Sequence, residues 1–214
     1  MAFQPKQVYS LEEYMELEKN SEEKLEFWDG NIWSMSGASH PHNRIVMNLS
    51  IDIGSKLREK GCSAFPADMR IKVPSYSPYR YPDLTALCGK PEIEKLGGID
   101  MLVNPQLIVE VLSDSTEAFD RGDKFSYYKS IESFSEYLLV AQHRPHVTQF
   151  IKHGDGFWIN YEFNDLNDLV ELRSVSCSLP LELIYRDIDF SGSVSETAES
   201  KGQISEESEQ QPSF

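Results

Sequence analysis

The sequence predicts a single mixed α/β domain in which helices flank a β-sheet. Three observations support this. Residues 42–59 repeat apolar side chains at helical spacing, residues 106–112 form the most apolar run in the chain, and residues 137–163 divide into short strand-like segments separated by turn residues. The chain has 214 residues, of which 40% are hydrophobic. That length and composition suit one globular domain with its own core.

The first elements can be read from their boundary signals. Ser10 and Glu13 form a capping box at the start of a short helix. Aromatic residues on both sides of Asp29-Gly30 predict a hairpin over residues 24–35. A long helix is expected from about His42 to Glu59, with its apolar face formed by Ile45, Val46, Leu49, Ile53 and Leu57.

The middle of the chain is expected to be rich in strands. Its most apolar segment, residues 106–112, is typical of a fully buried central strand. A helix is predicted over residues 117–131 and a short final helix over residues 181–185. The remaining predicted strands cover residues 63–73, 83–88, 137–141, 146–152 and 157–163, whereas residues 91–104 show little pattern.

The end of the chain differs from the rest in composition. Residues 191–214 contain few apolar side chains, and five glutamates face one lysine there, giving a net charge of −4. Such a segment buries too little surface to offset the entropy of ordering it. We therefore predict one domain over residues 1–190 and a disordered acidic tail over residues 191–214.

Charge and cysteine content restrict the function classes. The formal net charge of −15 argues against broad, non-specific binding to nucleic acid phosphates. Three cysteines without C-x-x-C spacing exclude a recognisable zinc finger and a disulfide scaffold, and they favour a reducing compartment. No apolar run approaches the roughly 18 residues of a membrane span, and residues 1–10 contain no apolar signal core. A cytoplasmic protein with no membrane partner is expected.

The acidic residue Glu110 is the strongest anomaly in the sequence. It lies inside the apolar run Leu-Ile-Val-Glu-Val-Leu, where a charged group must be paired, neutralised or bound to a metal. A second acid, Asp83, opens the preceding predicted strand, and two carboxylates on neighbouring strands can hold one hard cation such as Mg²⁺. The alternative is a structural ion pair at Glu110 and a strand cap at Asp83.

A candidate cation lies on the helix predicted after Glu110. Asp120, Lys124 and Tyr128 recur at every fourth residue and share one helix face. Lys124 aimed at the two acids would position a water molecule or stabilise charge on a phosphate. The alternative is an ordinary surface pair between Asp120 and Lys124, worth a few tenths of a kcal/mol.

These residues resemble the Uma-type restriction endonuclease family, which belongs to the PD-(D/E)XK nuclease superfamily. The resemblance extends from about Val8 to Trp158. It rests on the order of several short motifs, which are Ser10-Leu11-Glu12-Glu13-Tyr14, Met35-Ser36-Gly37-Ala38-Ser39, His42-Asn43, Tyr81-Pro82-Asp83, the run from Glu110 to Thr116, Asp120-Arg121-Gly122-Asp123-Lys124 and Glu136-Tyr137.

The resemblance implies a restriction-endonuclease-like mixed sheet, with an N-terminal helix and hairpin, and a role for individual residues. Asp83 and Glu110 would be metal ligands together with the main-chain carbonyl of Val111. The usual lysine position, two residues after the glutamate, is occupied by Leu112, and Lys124 would take its place from the following helix.

Three further residues are accessory candidates. Glu26 resembles an acid that some superfamily members supply from an early element, and Asp120 precedes Lys124 on the same helix face. His42 forms an H-x-H pair with His40 at a helix start. Such a pair is compatible with metal binding, but histidines in helix caps and on surfaces are commoner.

The function implied by the resemblance is Mg²⁺-dependent, or Mn²⁺-dependent, hydrolysis of DNA by an endonuclease. By analogy with the superfamily, the protein would act as a homodimer. The alternative is a nuclease scaffold whose site no longer cuts and which serves as a DNA- or protein-interaction module. A third possibility is a structural protein without catalytic activity, in which Glu110 belongs to a buried ion pair.

Overall fold

The computed structural model describes residues 8–191 except residues 29, 35, 36, 76 and 97. Residues 192–214 of the predicted tail and Asp29 of the predicted turn lie outside the described residues. The helices are α1 (Leu11–Asn20), α2 (His40–Leu57), α3 (Glu117–Phe119), α4 (Phe125–Tyr128) and α5 (Leu181–Ile184), and a π-helical turn, Asp120–Lys124, joins α3 to α4. None of the helices in the described ranges is long and apolar enough to span a membrane.

The strands form one large sheet and three small ones. They are β1 (Leu25–Trp28), β2 (Asn31–Ser34), β3 (Cys62–Pro66), β4 (Arg70–Val73), β5 (Ser77–Arg80), β6 (Leu84–Cys88), β7 (Ile93–Leu96), β8 (Ile99–Leu102), β9 (Leu107–Leu112), β10 (Glu136–Ala141), β11 (Val147–Lys152), β12 (Trp158–Phe163), β13 (Leu169–Leu172) and β14 (Cys177–Pro180). The large sheet has the order β12-β11-β10-β9-β6-β3. Only β9 and β10 pair in parallel in it, and all its other neighbours are antiparallel. The predicted mixed sheet with flanking helices is confirmed.

The apolar run predicted as a central strand is the centre of the core. Both β9 and β10 are buried at every position. On one face of the sheet, α2 packs its buried apolar row, together with the β13–β14 hairpin and α5. The other face carries an aromatic cluster that includes Phe125, Tyr128, Phe134 and Tyr137. Because each fully buried large apolar side chain contributes about 1.5–3 kcal/mol, these two layers supply most of the driving force for folding.

A third, smaller cluster attaches the N-terminal elements. Tyr14 of α1 packs with Tyr79, Tyr81 and Met101, and the carboxylate of Glu18 accepts hydrogen bonds from both tyrosine hydroxyls of the 79–81 segment. The capping box that Ser10 and Glu13 predicted at the start of α1 is present. This cluster fixes the segment that leads into Asp83.

Several predicted boundaries were wrong for reasons of tertiary pairing. The single strand expected over residues 63–73 is split by a turn, in which Met69 N donates to Pro66 O at 3.0 Å. Its first part, β3, is an edge of the large sheet, whereas β4 joins the four-stranded sheet β5-β4-β8-β7. That small sheet also gives β7 and β8 their strand structure, because pairing supplies the order that residues 91–104 lack in their own pattern.

The cysteines also differ from expectation. Cys62 and Cys88 lie directly opposite each other on β3 and β6 and are joined by a disulfide, while Cys177 is free and buried. One bridge is not a disulfide scaffold, but the cysteine pattern gave no sign of it. The two residues are 26 positions apart, and only the strand register brings them together.

Candidate active site

The carboxyl group of Glu110 is buried in the middle of β9, and two side chains contact one of its oxygens. Its side chain is 4% exposed. Oε1 lies 2.8 Å from Lys124 Nζ and accepts a hydrogen bond from Tyr128 OH at 2.7 Å. Glu110 therefore has the polar partner that its burial requires, and this partner is the lysine that the resemblance singled out.

Lys124 brings a second carboxylate into the same cluster. Its Nζ lies 3.1 Å from Asp120 Oδ1, and both side chains are buried within the π-helical turn. The alternative of an ordinary surface pair is therefore wrong. π-Helical turns are rare and occur frequently at functional sites. Tyr137 holds this turn against β10 by donating its hydroxyl to the main-chain oxygen of Asp120 at 3.1 Å.

Asp83 contacts β9 from the side of the neighbouring strand β6. It immediately precedes β6, and because Leu84 pairs with Val109 in antiparallel register, Asp83 lies level with the segment around Glu110. The Val111 main-chain N–H donates to Asp83 Oδ2 at 2.7 Å. The main chain next to Glu110 is thus fixed directly to the second acid.

The accessory candidates Glu26 and His42 contact different partners. Glu26 of β1 accepts a hydrogen bond from Tyr81 N at 3.3 Å, and its Oε2 lies 3.7 Å from Arg80 Nη1. His42 lies in the first turn of α2, and its Nε2 is 3.3 Å from Asp83 Oδ2. No sequence signal indicated the contact between His42 and Asp83, because the two residues are 41 positions apart in the chain.

The charges in the cluster shift each other's ionisation. Burial raises the pKa of Glu110 to about 8, because the opposing effect of Lys124 is only partial and Asp120 and Asp83 add negative charge. Burial would lower the pKa of Lys124, but the charges of Asp120 and Glu110 outweigh burial and hold that pKa well above its usual value. Lys124 is therefore a permanent cation at neutral pH.

The pKa of His42 is also raised. Burial opposes the charged ring, but the hydrogen bond and charge of Asp83 and a hydrogen bond to the main chain of Val111 outweigh it. A main-chain bond that favours the protonated ring must have the carbonyl as its acceptor. His42 thus faces Asp83 and the Val111 carbonyl together.

The donor chemistry of the site suits a hard divalent cation. Glu110, Asp120 and Asp83 act together on a cluster whose buried cation is Lys124, so acidic groups are in excess. Within the described residues, no group of three or more His, Cys, Asp or Glu side chains is arranged to hold a metal ion by itself. Mg²⁺, however, keeps several water ligands and commonly uses only one or two carboxylates. Asp83, Glu110 and the Val111 carbonyl fit such a water-rich site.

The raised pKa of Glu110 predicts the pH dependence of stability in the metal-free protein. Its ordinary value is 4.5, and the folded value is about 8. The uncharged carboxyl group of Glu110 therefore stabilises the folded protein. This stabilisation is complete below the unfolded-state pKa of 4.5 and is lost as the pH rises through the folded-state pKa of about 8. In EDTA we expect the melting temperature to fall between about pH 5.5 and pH 8.5. The Glu110→Gln variant cannot ionise and should show a smaller fall, so equal slopes for the two proteins would contradict this assignment.

Comparison with known proteins places this chain in a family. The model of the Uma2 family, described as "Putative restriction endonuclease", matches residues 11–182. The chain belongs to the Uma2 family. The match includes all the candidate residues described above, from Glu26 to Tyr137.

Curated relatives of this Uma2 chain occur in Synechocystis sp. The uncharacterized protein slr1290 is 35% identical over 183 residues, which cover 85% of this chain and 93% of that protein. The uncharacterized protein sll1609 is 34% identical over 164 residues, covering 77% and 92%. Both matches are close enough to support the same family membership.

A solved structure shows the same fold. The crystal structure of a "putative nuclease belonging to DUF820" from Anabaena variabilis superposes with a TM-score of 0.66 at 17% sequence identity. The superposition covers 82% of this chain and 97% of the other. The Uma2 chain therefore has a nuclease-like fold, as the sequence predicted.

Proposed function

We propose that this Uma2 protein is a Mg²⁺-dependent endodeoxyribonuclease that hydrolyses DNA phosphodiester bonds. The family description and the nuclease-like fold support a nuclease. The observation that carries the proposal is the 2.8 Å contact between Lys124 Nζ and Glu110 Oε1. Leu112 occupies the position where the superfamily pattern has its lysine, and Lys124 supplies an ammonium group to the same glutamate from another element.

Asp83, Glu110 and the Val111 carbonyl would hold the ion. Bound Mg²⁺ supplies a Lewis acid for a phosphate oxygen and lowers the pKa of a water ligand. The hydrogen bond from Val111 N to Asp83 keeps that carboxylate beside β9, and Tyr128 keeps one oxygen of Glu110 in place. These contacts make the donor set rigid before any substrate binds.

Lys124 would act as an electrostatic catalyst and not as a base. Its raised pKa means that it carries no lone pair at neutral pH, so it can donate hydrogen bonds to a water molecule or a phosphate oxygen. Glu26 and Asp120 add negative charge that keeps Lys124 protonated.

The net charge of −15 implies that DNA affinity depends on the divalent ion more than on a basic surface. Tight DNA binding in EDTA would contradict this point.

Plasmid cleavage tests the proposal. Purified protein is incubated with supercoiled DNA and Mg²⁺ or Mn²⁺, with EDTA as the negative condition. We expect the wild type to nick or linearise the plasmid, and Asp83→Asn to lose cleavage because the ion loses one of its carboxylates. Asp100→Asn removes an acid that is 56% exposed on β8 and should keep full activity.

The outcomes separate the two candidate functions. Full activity in Asp83→Asn would reject the assigned site. Metal binding by calorimetry without any cleavage by the wild type would favour the non-cutting interaction module. Absence of Mg²⁺ and Mn²⁺ binding would reject the enzyme altogether.

The homodimer expected by analogy belongs to the same proposal, and sedimentation of the purified chain tests it. Cytoplasmic location stays a prediction.

A further inference from the structure

Trp33 is the most exposed aromatic residue in the described part of the chain. It lies on β2 and is 58% exposed. Trp158, by contrast, packs into the core, with its ring 5.1 Å from that of Phe125 and 5.0 Å from that of Phe134. A single exposed apolar side chain is ordinary in a soluble protein. The significance of Trp33 therefore depends on where its ring lies.

Strand register places Trp33 beside the proposed active site. Trp33 and Glu26 lie directly opposite each other in the antiparallel pair of β1 and β2, so both side chains are on one face of the hairpin, with Cβ atoms about 5 Å apart. The Glu26 carboxylate accepts a hydrogen bond from Tyr81 N, two residues before Asp83, and its charge acts on Lys124. Trp33 therefore lies at the rim of the site, one strand outside Glu26.

The hairpin is a firm support for this ring. Its other face carries Phe27 and Ile32, which pack into the cluster around Tyr14. The Phe27 ring stacks on Tyr14 with the ring centroids 5.2 Å apart, and the Phe27 main-chain oxygen accepts a hydrogen bond from Arg80 Nη1 at 2.8 Å. An aromatic side chain on such a support loses little conformational entropy when it binds a partner.

The groups around Trp33 suit a nucleobase better than a phosphate. Glu26 lies across from Trp33, and the hydroxyl of the next residue, Ser34, donates to the carboxylate of Glu23. Carboxylates repel phosphate, whereas the uncharged face of a base stacks on an aromatic ring. In duplex DNA the faces of the bases are covered by their neighbours, and only the edges are open in the grooves. The ring therefore fits a base that is not stacked in a duplex.

We propose that Trp33 stacks on an unpaired base of the DNA that enters the site, so that the preferred substrate contains unpaired bases, as single strands, strand ends and mismatches do. The inference rests on the proposed function and specifies the DNA structure on which it acts. Stacking adds affinity without a basic surface, which suits a chain with a net charge of −15. Trp33 contacts the substrate and takes no part in breaking the phosphodiester bond.

Fluorescence anisotropy with two labelled DNA probes tests the stacking. One probe is a short single strand, the other is a closed duplex without free ends, and Ca²⁺ replaces Mg²⁺ to slow cleavage. Trp33→Thr removes the ring but keeps a residue that favours strands. It should weaken binding of the single strand about tenfold and binding of the duplex by less than about twofold. Trp33→Tyr restores a ring and should recover most of the lost affinity.

Phe157→Thr is the matched control. It removes a ring that is 51% exposed in the turn between β11 and β12. That turn lies at the end of the large sheet where β10 begins, whereas the site lies towards the ends of β9 and β10. Both affinities should equal those of the wild type. Circular dichroism and thermal melting check that the variants are folded.

Cleavage kinetics provide a second readout. Because the stacked base is bound in the ground state and in the transition state alike, Trp33→Thr should raise KM for the single strand about tenfold and leave kcat nearly unchanged. The same substitution should change KM for the closed duplex by less than about twofold.

The failures of this inference and of the proposed function are distinguishable. Unchanged affinity of Trp33→Thr for the single strand overturns the stacking, and equal losses on both probes overturn the preference for unpaired bases. In either case a wild type that cuts DNA remains a nuclease. A wild type that binds single strands through Trp33 but cuts no DNA overturns the nuclease and leaves the stacking in place. If the wild type binds neither probe with Ca²⁺ or Mg²⁺, both proposals fail.

Discussion

Replacing Lys124 with methionine is expected to lower the free energy of unfolding by about 3–5 kcal/mol at about pH 9, where Glu110 is ionised. The lysine side chain is 7% exposed and faces Glu110 and Asp120, which are 4% and 3% exposed. Methionine fills a similar volume but carries no charge. The substitution therefore leaves two buried carboxylates without their shared counter-ion, which is the destabilising half of breaking a buried pair.

Urea unfolding at two pH values measures this effect. The loss should be smaller at about pH 6, below the Glu110 pKa of about 8, because protonation of Glu110 removes part of the unpaired charge. Lys95→Met is the matched control, since that lysine is 70% exposed in a pair on β7 and β8, and its loss should change stability by no more than about 0.5 kcal/mol. A Lys124→Met protein as stable as the control variant would show that the buried pair is not a stabilising element.

The second large effect is on catalysis. Glu110→Gln is expected to reduce Mg²⁺-dependent cleavage at least about 100-fold while the protein stays folded. The amide keeps an oxygen that can accept from Tyr128, and Lys124 keeps Asp120 as its counter-ion. What is lost is the negative charge that Glu110 would offer to the proposed Mg²⁺. A variant that unfolds would instead lose all functions together.

The measurement is the initial rate of plasmid cleavage, with thermal melting of the same samples. Glu132→Gln is the control, because that glutamate is exposed and lies outside the charge cluster. Its rate should equal that of the wild type. Cleavage by Glu110→Gln at a rate close to that of the control would remove Glu110 from the list of metal ligands.

Sequence patterns were most informative where a local rule was broken. Glu110 stood out because a charged residue interrupts an apolar run, and the structure shows the pairing that such a residue requires. The capping box at Ser10 and the apolar row of α2 could be predicted for a different reason. Each depends only on the spacing of residues within one element.

Long-range features were beyond such patterns. The contact between His42 and Asp83 depends on how α2 packs against the sheet, and the bridge between Cys62 and Cys88 depends on strand register. The split of residues 63–73 between two sheets was likewise decided by pairing partners elsewhere in the chain. The role expected of Lys124 came from family resemblance, because periodicity alone favoured an ordinary surface pair with Asp120.

The π-helical turn restricts how this part of the chain can change in length. It carries Asp120 and Lys124, and it is followed at once by α4 with Phe125 and Tyr128. Loss of one residue from the turn, such as Gly122, would remove the extra residue that a π-helical turn holds and restore regular α-helix. The spacing of Asp120 and Lys124 would then change, and Lys124 would move relative to Asp120 and Glu110. Relatives that keep the site are therefore expected to conserve the number of residues between Asp120 and Tyr128 more strictly than the identities of the residues between them.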